Sequence, residues 1–123
     1  LLARPELAAL FGPGSLAEVP LAGEITLPDG SRRAVTGQID RLAVTGNEVL
    51  IADFKTASRP PGDLSEVPER TLAQLAVYRA LAEAIYPGRR VRTLIVYTAS
   101  LSVLEPSPVL LDDSLAAMAG AAR

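Results

Sequence analysis

The chain has 123 residues, 12 cationic and 14 acidic side chains, a net charge of −2 and 49% hydrophobic content. These are the proportions of one globular domain with a real core, and they exclude a disordered chain. The absence of cysteine and histidine removes disulfide scaffolds, thiolate or imidazole metal sites and Ser-His or Cys-His nucleophilic catalysis. No apolar run approaches the ~18 residues that span a bilayer and no charged leader precedes one, so no membrane role is expected. The mild acidity argues against binding nucleic acid by bulk charge.

Apolar residues from Leu2 to Phe11 predict a short helix that Gly12-Pro13-Gly14 ends. It begins without a cap or an initiator methionine, which reads as a truncated first helix of a fragment. Leu16–Leu27 alternates loosely and closes on the Pro28-Asp29-Gly30 turn. Ala34–Val44 and Val49–Lys55 are two further strands joined through Thr45-Gly46-Asn47-Glu48, a hairpin signal. Ser58–Pro68, with three prolines and a glycine, is a loop. Glu69–Tyr86 is the strongest helix, with Leu72, Leu75, Tyr78, Leu81 and Ile85 at spacings of three and four, and Pro87-Gly88 ends it. Val91–Thr98 has the apolar character of an inner strand, Ser102–Leu104 is a short continuation, and Asp112, Asp113 and Ser114 would cap a last helix over Leu115–Ala122. The predicted fold is α/β: a three-stranded antiparallel meander, a long helix and a further strand in a mixed sheet. Residues 1–123 form one domain, with its core at 16–98 and a tail with a small helix at 105–123.

Eleven of the 12 cations are arginine, and the exception is Lys55. Chance explains such a count as well as function does. Yet arginine is a wide fork that stays charged, whereas lysine is a compact amine whose pKa can move. If Gly46 and Asn47 are the hairpin loop, Val44 faces Val49, Leu42 faces Ile51, Asp40 faces Asp53 and Gln38 faces Lys55. All four pairs then share one face. That face is aliphatic near the loop and ends in two carboxylates, a carboxamide and an amine. Two directly opposed carboxylates cannot both ionise cheaply; one keeps a proton or a cation sits between them. A hard divalent cation such as Mg²⁺ prefers such oxygens. A one-residue change of register would put Asp40 and Asp53 on opposite faces, leaving ordinary solvated ion pairs worth little.

Gly37-Gln38-Ile39-Asp40-Arg41, then Asp53-Phe54-Lys55-Thr56, then Gln74-Leu75-Ala76-Val77-Tyr78 fall on strand, strand and helix. In that order they resemble the PD-(D/E)xK nuclease superfamily, in its RecB-like branch, and within it the nuclease domains of AddAB-type bacterial helicase–nucleases. The resemblance covers Leu16–Tyr97. It implies a restriction-endonuclease-like core and a Mg²⁺-dependent DNA exonuclease (Mn²⁺ a plausible substitute) acting in double-strand break repair by recombination. It further implies DNA, the helicase domains of its own chain and the second subunit of a heterodimer as partners, and a cytoplasmic, nucleoid-associated setting. By motif, Asp40, Asp53 and the backbone carbonyl of Phe54 would be metal ligands, and Lys55 would orient or deprotonate the attacking water. Gln74, Tyr78, Gln38 and Arg41 would line the site or contact DNA, with Arg70 a further candidate phosphate contact. The bland readings stand beside these: Tyr78 as core with its hydroxyl at the edge, Gln74 as a solvated position. The family usually supplies one more ligand, a histidine or glutamate, from a helix before the first strand. This chain has no histidine, so Glu18 is the candidate substitute, against an outward polar residue of an alternating strand. The alternative function is a non-catalytic DNA-positioning or scaffolding module that keeps the fold without a complete metal site.

Overall fold

A computed structural model describes residues 5–56, 61–100 and 102–121, with backbone alone at 5–7 and 119–121. The predicted helix over Leu2–Phe11 and the loop over Ser58–Pro68 therefore lie partly outside the described residues. In chain order the elements are helix α1 (Pro5–Leu10), strands β1 (Ser15–Thr26), β2 (Arg32–Val44) and β3 (Glu48–Lys55), helix α2 (Glu69–Ile85), strands β4 (Arg90–Tyr97) and β5 (Ser102–Leu104), and helix α3 (Pro108–Ala121). A single 3₁₀ turn, Leu64–Glu66, precedes α2, and the Asp63 carboxylate caps it by accepting from the Ser65 N–H at 2.9 Å.

The five strands form one sheet in sequence order. β1–β2, β2–β3 and β4–β5 pair antiparallel, whereas β3–β4 pair parallel because α2 carries the chain back across the sheet. Both faces of the central strands are covered. Val49 and Ile51 of β3, with Val91 and Ile95 of β4, pack with Leu72, Leu75 and Tyr78 of α2 and Leu111 of α3. Leu50, Ala52, Leu94 and Val96 pack on the other face with Leu10 of α1. Two-sided burial is why these strands read as nearly continuous apolar runs. Each fully buried Leu or Ile contributes about 1.5–3 kcal/mol relative to exposure, so α2 is held by its apolar stripe.

One prediction needs correction at the C-terminal end. The last helix starts at Pro108, not Leu115. Ser107 opens it, its Oγ accepting from the Leu110 N–H at 3.2 Å, and Pro108 takes the first helical position, where a missing N–H costs nothing. Asp112 sits inside the helix and pairs with Arg79 of α2 at 2.9 Å.

The hairpin register holds at the loop and then breaks. Val44↔Val49, Leu42↔Ile51 and Arg41↔Ala52 pair as predicted, and the β2–β3 ladder ends there. Asp40↔Asp53 and Gln38↔Lys55 are not ladder pairs, and the reason lies in β2. Ile39 and Leu42 both pack against the α2 face, although three residues apart in a strand should face oppositely. β2 therefore exchanges faces around Asp40. β1 is irregular beside it: Glu18 has φ 54°, and the β1–β2 ladder skips from Ala17↔Arg41 to Val19↔Ile39 around it. Such irregularities re-aim side chains next to sites.

Candidate metal and nucleic-acid site

The end of the β2–β3 ladder is a fork, and the predicted acidic residues lie in it. Had the ladder continued, Phe54 would oppose Ile39. Instead its N–H donates to the Asp40 Oδ2 at 2.8 Å, so a side chain does what the next main-chain carbonyl would have done. Asp53 and Lys55, on the same face of β3 as Val49 and Ile51, carry that face beyond the aliphatic core. Lys55 Nζ lies 3.1 Å from Asp53 Oδ2, with the Asp53 side chain 14% exposed and that of Lys55 37%. Asp53 Oδ2 is itself buried, with the Lys55 ammonium beside it.

These contacts compete over the Asp53 proton. Burial holds its carboxyl above the ordinary value, the Lys55 hydrogen bond and charge pull it down, and the nearby Asp40 carboxylate pushes it up again. Tyr97, beside Lys55 in the parallel register, has its hydroxyl raised by burial and then by the Asp53 charge. Two carboxylates share the fork, and a buried oxygen of one is met by an ammonium. Such a donor set fits a hard cation, which takes carboxylate and carbonyl oxygens. Among the described residues, however, no three His, Cys, Asp or Glu side chains converge on one point.

Two clefts open at the fork. One, of about 460 Å³, is lined by Lys55, Thr56, Glu66, Thr71 and Tyr97 among others. The second, of about 380 Å³, is lined by Ala17, Glu18, Asp40, Arg41 and Phe54. Glu18 is therefore brought to the Asp40 side of the fork, with its side chain exposed.

The remaining predicted residues are distributed as follows. Arg41 turns to the α1 side, where its Nε donates to the Leu10 carbonyl at 2.9 Å and its guanidinium covers the Phe11 ring, which stacks on Phe54. Arg70 is exposed in the first turn of α2 and lines neither cleft, although its neighbour Thr71 lines the first. Tyr78 is buried, and its hydroxyl bonds to both backbone polar groups of Gln38 and to Gln74 Nε2. Sequence reasoning gave Gly37 no role of its own. A Cβ there would meet Tyr78 Cε1 at 2.5 Å and its hydroxyl at 2.7 Å, and the available signal was a glycine inside a strand pattern, which marks close approach.

The chain belongs to the PD-(D/E)XK nuclease superfamily, whose family model matches residues 5–115. Over 79 residues, 64% of this chain, it is 37% identical to an ATP-dependent helicase/nuclease subunit from Pelotomaculum thermopropionicum, of whose length the match spans 6%. The crystal structure of the protein SSO0001 shares the fold, with a TM-score of 0.52 at 16% identity over 86% of this chain and 48% of that one. The strand–strand–strand–helix–strand order around a mixed sheet is the restriction-endonuclease-like core. No helix among the described residues is long and apolar enough to cross a membrane.

Proposed function

We propose that this chain is the nuclease module of a helicase–nuclease, hydrolysing DNA phosphodiester bonds as a metal-dependent exonuclease in recombinational repair of double-strand breaks. The observation that carries the reading is the juxtaposition at the fork. Asp53 presents a buried oxygen, Asp40 adjoins it, and the only lysine of the chain lies 3.1 Å from that oxygen. Mg²⁺ would be held by Asp40, Asp53 and the Phe54 carbonyl, which leaves the strand on the same edge as the N–H bound by Asp40. Glu18, across the second cleft, would add a carboxylate. When bound, the ion lowers the pKa of a coordinated water and offsets charge on the phosphate. Lys55 would orient the attacking water or, once deprotonated, take its proton; an arginine could not serve as that base. The modest net charge of −2 fits a site that takes its cation from solution and receives its strand from an attached helicase. The related protein, named as a helicase/nuclease subunit, supports that helicase setting and a partner subunit; a nucleoid-associated location is part of the same proposal.

The test is Asp53→Ala in the full-length chain. Phosphodiester hydrolysis of a DNA oligonucleotide with Mg²⁺ should fall by roughly 10³ or more, several kcal/mol of transition-state stabilisation. Degradation at the wild-type rate sinks the proposal. The second reading, a module that positions DNA without cutting it, is favoured by the lack of a converged three-carboxylate cluster among the described residues. It predicts DNA binding with no Mg²⁺-dependent cleavage by the wild-type chain.

A further inference from the structure

Past Arg41, β2 has lost β3 as a neighbour, yet Asp40 must be held in place for any chemistry at the fork. The Tyr78 hydroxyl supplies a substitute. It accepts from the Gln38 N–H at 3.2 Å, donates to the Gln38 carbonyl at 3.1 Å, and accepts from Gln74 Nε2 at 3.0 Å. A phenol has one proton to give and two lone pairs, so all three are used and none is left for a substrate. The ring reaches this position because residue 37 has no side chain: any Cβ would overlap it. Tyr78 itself is 5% exposed and is anchored on the most strongly packed helix of the domain.

We infer that Tyr78 is a positioning residue: it takes the place of the absent third strand at Gln38 and so sets the location of Asp40, two residues further on. Gly37 is the gap that admits it, and Gln74 completes the hydroxyl's hydrogen bonds. Positioning rests on the reading of Asp40 and Asp53 as the metal-holding pair, and it makes the helix motif a support for the strand motif rather than a surface for DNA.

The decisive measurement uses the full-length chain without nucleotide, titrated with Mn²⁺ by calorimetry, and in parallel the Mn²⁺ needed for half-maximal cleavage of a single-stranded oligonucleotide. Tyr78→Phe keeps the ring and removes the hydroxyl. Loss of support around a ligand typically weakens metal affinity or activity 10–100-fold. Both the calorimetric Kd and the half-maximal Mn²⁺ should rise by about 10-fold or more, while cleavage at saturating Mn²⁺ recovers to within a few-fold. Gln74→Ala, which leaves the core untouched, should shift both values in the same direction by a few-fold. Leu81→Ala, buried at the far end of α2 against Gly23 and Ile25, serves as the control that lowers thermal stability without moving the metal requirement. Unchanged Mn²⁺ affinity in both Tyr78→Phe and Gln74→Ala overturns the inference, as does an equal shift in Leu81→Ala. Asp53→Ala separates the two levels. If it too leaves Mn²⁺ binding unchanged, the site reading has failed; if it alone abolishes binding, only the positioning role has.

Discussion

The two ends of the β2–β3 hairpin are made of the same two strands and do opposite things. At the loop, Thr45 and Glu48 close the turn through the Thr45 N–H and hydroxyl, and the pairs that follow bury Leu42, Ala43, Leu50, Ile51 and Ala52 almost completely. Among the paired residues of this end, Arg41–Val44 and Val49–Ala52, Val44 is the exposed one. At the far end the ladder stops. A carboxylate accepts one strand N–H, a tyrosine hydroxyl serves another residue's backbone, and a second carboxylate is buried beside an ammonium. Regular pairing leaves no polar group over for chemistry. A fork does, provided side chains from elsewhere satisfy the backbone it exposes.

That contrast makes the open end sensitive in rate and the closed end sensitive in stability. The largest effect is expected from Lys55→Arg. Charge is retained but the compact amine is lost, so hydrolysis by the full-length chain should fall by about 10²–10⁴, while the unfolding midpoint stays close to wild type. Cleavage at the wild-type rate would mean that the open end needs only a cation at this position. Ile51→Ala, four residues earlier on the same face and fully buried, should do the reverse. It should cost about 2–5 kcal/mol in urea unfolding and leave hydrolysis within a few-fold at temperatures below the transition. A rate loss of the Lys55→Arg size there would erase the distinction between the two ends.

What the sequence made legible divides along the same line. The loop-end register followed from Gly46-Asn47 between aliphatic runs, and the structure keeps it from Val44↔Val49 to Arg41↔Ala52. The three motifs also fell on the predicted strand, strand and helix. The fork was not legible, because alternation assumes that a strand stays regular. Its end depends on a left-handed Glu18 in β1, on a face exchange at Asp40 and on Tyr78, 40 residues on from the Gln38 it bonds. None of these leaves a periodic trace. The start of α3 was different: Ser107-Pro108 is a cap followed by a first-turn proline, a signal present in the chain but outweighed by the more acidic Asp112-Asp113-Ser114.

The smallest and most discriminating prediction concerns Asp53→Asn, studied first without divalent metal. Burial holds the folded Asp53 carboxyl above its ordinary value of 3.8, so the folded state binds this proton more tightly than the unfolded chain does. The sign is therefore the reverse of the usual carboxylate. The stability linked to Asp53 is fully present below 3.8 and is lost as pH rises through the raised folded value. At neutral pH the ionised carboxylate destabilises the fold. Asn should thus raise the melting temperature by a few degrees at pH 7, and the gain should vanish as pH falls below 3.8. Adding Mg²⁺ should invert the order, because an ion that binds only the folded wild type stabilises it by about 2.7 kcal/mol at a hundred times Kd, whereas the Asn variant has lost the ligand. A lower melting temperature for Asp53→Asn at pH 7 without metal would show that the Lys55 pair outweighs burial. The open end would then be a stabilising ion pair, and its difference from the closed end would be one of composition rather than function.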